Sequence, residues 1–284
     1  MQRTIANYFS LFRPHHWVKN LLLLFPPFFG AKLLDPQVTA AILPSLVSFS
    51  LAASCGYILN DIWDRKYDIL HVSKKYRPIA SGEVSIVTAS ILAGLLYFSA
   101  MIVAGSVSTR FQGFVIIYLL TSCGYTMYFK NLVIADIFFV AFGFLLRVLA
   151  GGQAFDIRVT NWLFLTVFIV ALFLATGKRL GELISLKEDA QKHRQSLNQY
   201  SPSFLEGILW FCASSALVTY ALYTIENRSG MFYTVPLAAF GLIRYIYIVK
   251  DGKGDPTDAL LKDPPIMATG ILWVAAIGNI LYTG

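Results

Sequence analysis

The sequence predicts an all-α, polytopic membrane helix bundle, and three observations lead there. Hydrophobic residues make up 56% of the 284 residues and charged residues only 14%, where soluble domains carry roughly 25% charged residues. Apolar stretches long enough to cross a hydrocarbon core of about 30 Å recur from one end of the chain to the other. Lysine and arginine are shared unequally between alternate connections, as the positive-inside bias requires. No stretch is left over for a sizeable soluble domain, so residues 1–284 read as a single membrane domain.

Nine spans are the most economical division, with cores at 18–34, 40–60, 85–105, 111–129, 132–150, 161–178, 204–226, 231–250 and 266–283. The first follows polar and basic residues through Lys19 and runs into Pro26-Pro27 with no small-residue cleavage site, so it reads as a retained helix kinked at the prolines. Of the 23 lysines and arginines, Lys32, Arg110, Arg158 and Arg228 fall on one side and Arg147 lies inside a span. The remaining 18 share the other side, which is therefore cytoplasmic. The expected location is the plasma membrane. The net charge of +7 follows from this bias, from anionic lipid headgroups and from an anionic substrate, so no nucleic-acid partner is called for. Cys55, Cys123 and Cys212 lie far apart in apolar segments without metal-binding or disulfide spacing, and read as packing residues.

Two long, charged connections, 61–84 and 178–203, lie on the cytoplasmic side, where loops on a rigid scaffold carry function. The first begins Asn60-Asp61-Ile62-Trp63-Asp64-Arg65-Lys66-Tyr67-Asp68. If the second helix continues through it, Asp64 sits about 300° and Asp68 about 340° around from Asp61, so all three carboxylates share a face. Like charges so placed need a cation. Mg²⁺ suits them because it takes carboxylate and phosphate oxygens together. The plainer alternative is an acidic turn paired with Arg65 and Lys66. Lys74, Lys75 and Arg77 follow; Lys74 and Arg77 read as phosphate contacts, Lys75 as a lipid-facing charge.

Within the fifth span, Asp136 and Arg147 lie eleven residues apart, about 20° around the helix, with Gly143 beside them on the same face. Charges in a membrane helix are costly and suggest function; the alternative is a structural ion pair with another helix. Lys130 precedes this span near the surface. The second long connection opens Gly177-Lys178-Arg179-Leu180-Gly181-Glu182, which can extend a pocket, while Lys187 to Arg194, including His193, reads as a solvated face. His15, His16 and Trp17 read as interface anchors.

These residues resemble the UbiA superfamily of intramembrane prenyltransferases. The match is carried by RPHHWVKN (13–20), NDIWDRKYDILHVSKKYRPIASG (60–82), DIFFVAFGFLLRVLAGG (136–152), GKRLGE (177–182) and, more weakly, GDPTDALLKD (254–263). Within the superfamily the chain is most similar to the branch that transfers phosphoribosyl to a polyprenyl (decaprenyl) phosphate. The resemblance implies a nine-helix bundle around a central cavity, Mg²⁺ at Asp61, Asp64 and Asp68, and 5-phosphoribosyl diphosphate (PRPP) as donor. The aromatic-prenylating branch usually has a second aspartate-rich motif where this chain reads Lys178-Arg179-Leu180-Gly181-Glu182, which counts against an aromatic acceptor. Three phosphate groups need more cations than one diphosphate does. Lys19, Lys74, Arg77, Lys130, Arg147, Lys178 and Arg179 can supply them, with Asn60, Asp136 and Glu182 as further substrate contacts. The alternatives are prenyl transfer from a polyprenyl diphosphate and, from another class, transport of an organic anion.

The charge distribution yields a topological test. In Ala190→Cys, an impermeant thiol reagent should label the new cysteine only after the membrane is opened; labelling in intact cells would reverse the orientation.

Overall fold

A computed structural model describes residues 9–70, 74–186, 197–228 and 230–283. His71 and the stretch from Lys187 to Arg194 lie outside the described residues. Among those described, every regular element is helical. The chain forms two compact units. One comprises residues 1–27, 32–130 and 146–158, and the other 28–31, 131–145 and 159–284.

The elements follow the expected spans with informative departures. Pro14–Leu24 is a 3-10 helix that leads into the short α1, Phe25–Phe29. The expected single kinked helix is therefore replaced by a tighter coil. Pro26 and Pro27 lack the N–H groups that would bond the carbonyl of Leu23 in either a 3-10 or an α turn. Then come α2, Pro36–Asp68, α3, Ile86–Val107, α4, Thr109–Met127, and α5, Ala135–Ala154. These are followed by α6, Asn161–Leu186, α7, Pro202–Asn227, and α8, Val235–Lys250. The chain closes with α9, Pro256–Lys262, and α10, Pro264–Tyr282. Among the described residues, seven helices are long and apolar enough to cross a membrane. Ser85, Ser108, Ser201, Asp255 and Asp263 cap the helices that follow them, each accepting from a backbone N–H in the first turn.

In the first unit, α2 packs along α3 through small residues. Ala89, Ala93, Ala100 and Ala104 are buried on one face of α3, and Ala52 and Ala53 are buried on α2. The Ser48 hydroxyl donates to the carbonyl of Ala100 at 3.0 Å. Small side chains let membrane helices approach closely enough for such a bond. At 33 residues, α2 is about 50 Å long. That exceeds the hydrocarbon thickness, so its acidic C-terminal turns can project from the apolar layer while remaining helical. The 3-10 segment is fixed in the same unit. Asn20 donates to Ser50 at 3.0 Å and Trp17 to Ser54 at 3.1 Å. Trp17 thus has a partner inside the unit, beyond the headgroup role expected of it. The carbonyl of Leu23 lies where Gly151 would carry its Cβ.

In the second unit, α6 runs eight residues beyond its expected end. Lys178, Arg179 and Glu182 therefore stand on a helix instead of a loop. Gly177 and Gly181 lie within this helix at close contacts: a Cβ on Gly181 would meet the backbone of Gly254, and one on Gly177 would meet the ring of Tyr245. Tyr245 holds the contact, donating to the carbonyls of Gly254 at 2.7 Å and Leu174 at 3.2 Å. Cys55 and Cys212 are buried and Cys123 is half-buried, as packing residues should be.

The Leu23–Gly151 approach can be tested. Gly151→Ala places a methyl against the 3-10 backbone and should cost about 1–3 kcal/mol, read as a lower Tm. Gly113→Ala, on α4 with open space around it, is the matched control and should leave Tm unchanged or raised.

Candidate active site

The three motif aspartates stand on the last turns of α2, on one face as their spacing requires. Asp61 and Asp68 are buried, and Asp64 is half-buried. Charged groups so enclosed need partners, and each has a basic one. Asp61 Oδ1 accepts from Arg13 Nη2 at 2.5 Å and from Arg77 Nη1 at 3.0 Å. The same Arg77 nitrogen reaches Asp68 Oδ2 at 2.6 Å. Lys130, itself buried, bonds Asp64. The expected alternative of pairing with Arg65 and Lys66 is not what holds them. Arg65 instead donates to the carbonyl of Ile79 at 3.2 Å and fixes the returning segment that carries Arg77.

Around this centre, Asn60 accepts from Thr126 at 3.1 Å. Lys74 is half-buried, and its charge acts on Asp68. Lys75 lies over the Tyr76 ring at 5.1 Å, in keeping with its reading as a surface charge. Arg13 was not singled out from the sequence as a site residue. In the structure it has a left-handed backbone, with φ of 50° at a non-glycine position. Such a conformation carries strain and here turns the guanidinium to Asp61 and over the Tyr57 ring at 5.2 Å.

Arg147 is enclosed in the same unit. Its Nε donates to Asn20 Oδ1 at 2.9 Å and its Nη2 to the Tyr118 hydroxyl at 3.0 Å. The guanidinium lies 4.7 Å from the Tyr118 ring centre and 5.5 Å from that of Phe49. It thereby ties the 3-10 segment to α4 and α5. Lys19, the neighbour of Asn20, is half-buried on that segment. The shared face with Asp136 does not produce an ion pair, because eleven residues of α-helix separate the two by about 16 Å along the axis.

Asp136 belongs to a separate constellation in the second unit. It is fully buried and accepts from Arg179 Nε at 2.6 Å and from the Tyr200 hydroxyl at 2.7 Å. Arg179 also bonds Glu182 at 2.7 Å, one helical turn on. Tyr200 in turn accepts from the backbone N–H of Ile134 at 2.5 Å. Ile134 is a β-branched residue at φ 69°, a conformation that costs about 1–3 kcal/mol and persists only where its surroundings hold it. Burial, and then the bond to Asp136, hold the Tyr200 phenol protonated well above its ordinary range. Lys178 pairs with Asp255 at 3.0 Å.

The aspartate row fits Mg²⁺ by donor chemistry, since hard carboxylate oxygens on one helix face are what that ion takes. Among the described residues the carboxylates are not gathered into a ligand cluster; each is turned to an Arg or Lys. The arrangement is a set of anions and cations in balance, able to exchange partners with a metal and phosphate oxygens.

The chain matches the model of the UbiA prenyltransferase family over residues 23–274. It is 30% identical to decaprenyl-phosphate phosphoribosyltransferase of Mycolicibacterium smegmatis, a match covering 98% of this chain and 93% of the relative. The protein of the same description from Corynebacterium glutamicum is also 30% identical, with 95% of this chain and 85% of the relative covered. In fold it is similar to a UbiA homolog from Archaeoglobus fulgidus bound to GPP and Mg²⁺, with a TM-score of 0.76, 18% identity, and coverage of 98% of this chain and 100% of that one. With apolar spans along its length and buried charge pairs at the predicted motif, the chain belongs to the UbiA prenyltransferase family and is a membrane-bound transferase.

Proposed function

We propose that the protein transfers 5-phosphoribosyl from PRPP to a polyprenyl phosphate at the cytoplasmic membrane face, releasing diphosphate. The observation that carries this reading is the cationic set around the aspartates. Arg13, Arg77 and Lys130 bond the carboxylates directly, with Lys74 beside them. The relatives named as decaprenyl-phosphate phosphoribosyltransferases support it, as does Lys178-Arg179 at the place where a second aspartate motif would serve an aromatic acceptor.

Asp61, Asp64 and Asp68 would hold Mg²⁺, which supplies positive charge to the departing diphosphate. Arg13, Arg77 and Lys130 give up their carboxylate bonds and turn to phosphate oxygens. The exchange keeps every buried charge paired, and charge-assisted bonds of this kind contribute about 1.5–3 kcal/mol each. As the ribose C1–O bond breaks, its electron pair leaves with the diphosphate. A lipid phosphate oxygen forms the new bond to C1. That oxygen is already anionic near neutral pH, so no general base is required of the chain. Asn60, held by Thr126, and Lys74 position the donor; Lys19, Arg147, Lys178, Arg179, Asp136 and Glu182 support the remaining contacts.

Incubation of purified protein with labelled PRPP and polyprenyl phosphate should release diphosphate and label the lipid. Consumption of a prenyl diphosphate with PRPP ignored would make the protein a prenyltransferase in the narrow sense. Movement of an anion across a vesicle membrane without bond cleavage would make it a transporter. Asp61→Asn should lower transfer by about a hundredfold or more while the protein stays folded. EDTA should reproduce the loss, and Mg²⁺ should reverse it. Arg77→Met should weaken PRPP binding by roughly ten- to a hundredfold.

A further inference from the structure

The second unit contains a cavity of about 670 Å³ whose walls come from the end of α6 and from the segment between α8 and α10. Its charged lining comprises Lys178, Glu182, Lys253, Asp255, Asp258, Lys262 and Asp263. Each of the four carboxylates has a basic partner. Glu182 pairs with Arg179 and Asp255 with Lys178. Asp258 pairs with Lys262 and Asp263 with Arg244. Lys253 has no ion pair or side-chain hydrogen bond among the described residues. Its charge only adds to that of Arg244, which is the main cause holding the Asp263 carboxyl below its usual range.

The position of Lys253 is nonetheless firmly built. It stands between Gly252, whose φ of 77° favours glycine, and Gly254, whose backbone packs against Gly177 and Gly181 of α6 with no space for a Cβ. Tyr245 anchors the carbonyl of Gly254, and Asp255 caps α9 through the N–H groups of Thr257 and Asp258. An exposed lysine on an otherwise mobile stem is thus carried by a backbone fixed on both sides. It faces a cavity in which every acid has a basic partner, Glu182 sharing Arg179 with Asp136.

We infer that this cavity is a binding site for a phosphate monoester, with Lys253 as its primary cation. Lys178 and Lys262 are its adjustable partners, since their side chains are 35% and 73% exposed and free to lean toward an anion. One uncommitted ammonium plus two cations in exposed pairs suits a dianionic group better than a neutral sugar or a lone metal ion, because lysine acts as a compact charge for phosphate. The inference deepens the phosphoribosyl-transfer reading and rests on it for the source of the group, which is the 5-phosphate of the donor or the phosphate of the lipid. The chemistry of the site does not depend on that choice.

The test uses the full-length protein in lipid nanodiscs, with ribose 5-phosphate and a short-chain polyprenyl phosphate as separate probes. Lys253→Met should weaken one of the two about tenfold, Lys253→Arg should keep it within about threefold, and neither change should move Tm. The probe that responds identifies the source. Equal binding of both probes by wild type and Lys253→Met, or no binding of either by wild type, would overturn the inference. If PRPP is not turned over but a probe still depends on Lys253, the monoester site stands and the phosphoribosyl-transfer reading falls.

Discussion

Neutralisation of buried charge is the constraint on which this structure turns. A carboxylate withdrawn from water inside an apolar protein is expensive unless a cation and hydrogen bonds satisfy it. Asp61, Asp68 and Asp136 are all buried. Each draws a distant piece of chain into place. Arg13 brings in the N-terminal strap, Arg77 the segment after α2, and Arg179 the far end of α6. These pairs are better understood as positional constraints than as sources of stability. Removing one partner would strand a charge, whereas the intact pair does little better than break even.

Close backbone approach is the second constraint, and it makes the first possible. The alanine face of α3 lets Ser48 reach a carbonyl on its neighbour. Gly151 accommodates the carbonyl of Leu23, Gly181 the backbone at Gly254, and Gly177 the ring of Tyr245. Without those contacts the 3-10 segment that follows Arg13 and carries Lys19, and the turn carrying Lys253, would have nothing rigid beneath them. Arg147 is part of the same support. Its bonds to Asn20 and Tyr118 hold the strap one helical turn along α5 from the backbone contact at Gly151.

The sequence made the spans and the aspartate row legible because both are periodic signals. Hydropathy marks length, and a helical repeat marks a shared face. It was less informative where the outcome depends on partners distant in the chain. Arg13 looked like one more residue of a basic N-terminus, since nothing local announces that its backbone turns left-handed to meet Asp61. Tyr200 lay in a polar stretch with no pattern to connect it to Asp136. Asp136 and Arg147 share a face at a spacing too long for a pair, but nothing in that pattern shows that Asp136 meets Arg179 and Tyr200. GKRLGE reads from the sequence as the start of a connection, whereas Gly181 admits the backbone at Gly254 and Gly177 the Tyr245 ring within a continuous α6. In each case the missing information was tertiary.

The central claim is that Asp61, Asp64 and Asp68 and their basic partners form one balanced set. In that set Arg13, Arg77 and Lys130 leave the carboxylates only when phosphate oxygens are offered to them and Mg²⁺ to the acids. The most direct measurement is the Tm of the purified protein with Mg²⁺ alone, PRPP alone, and both. Either alone must break ion pairs without replacing them, so each should shift Tm little. Together they should raise it by several degrees, as expected when a ligand binds the folded state at concentrations well above its Kd. A full shift with PRPP in the presence of EDTA, or with Mg²⁺ and no PRPP, would contradict the account.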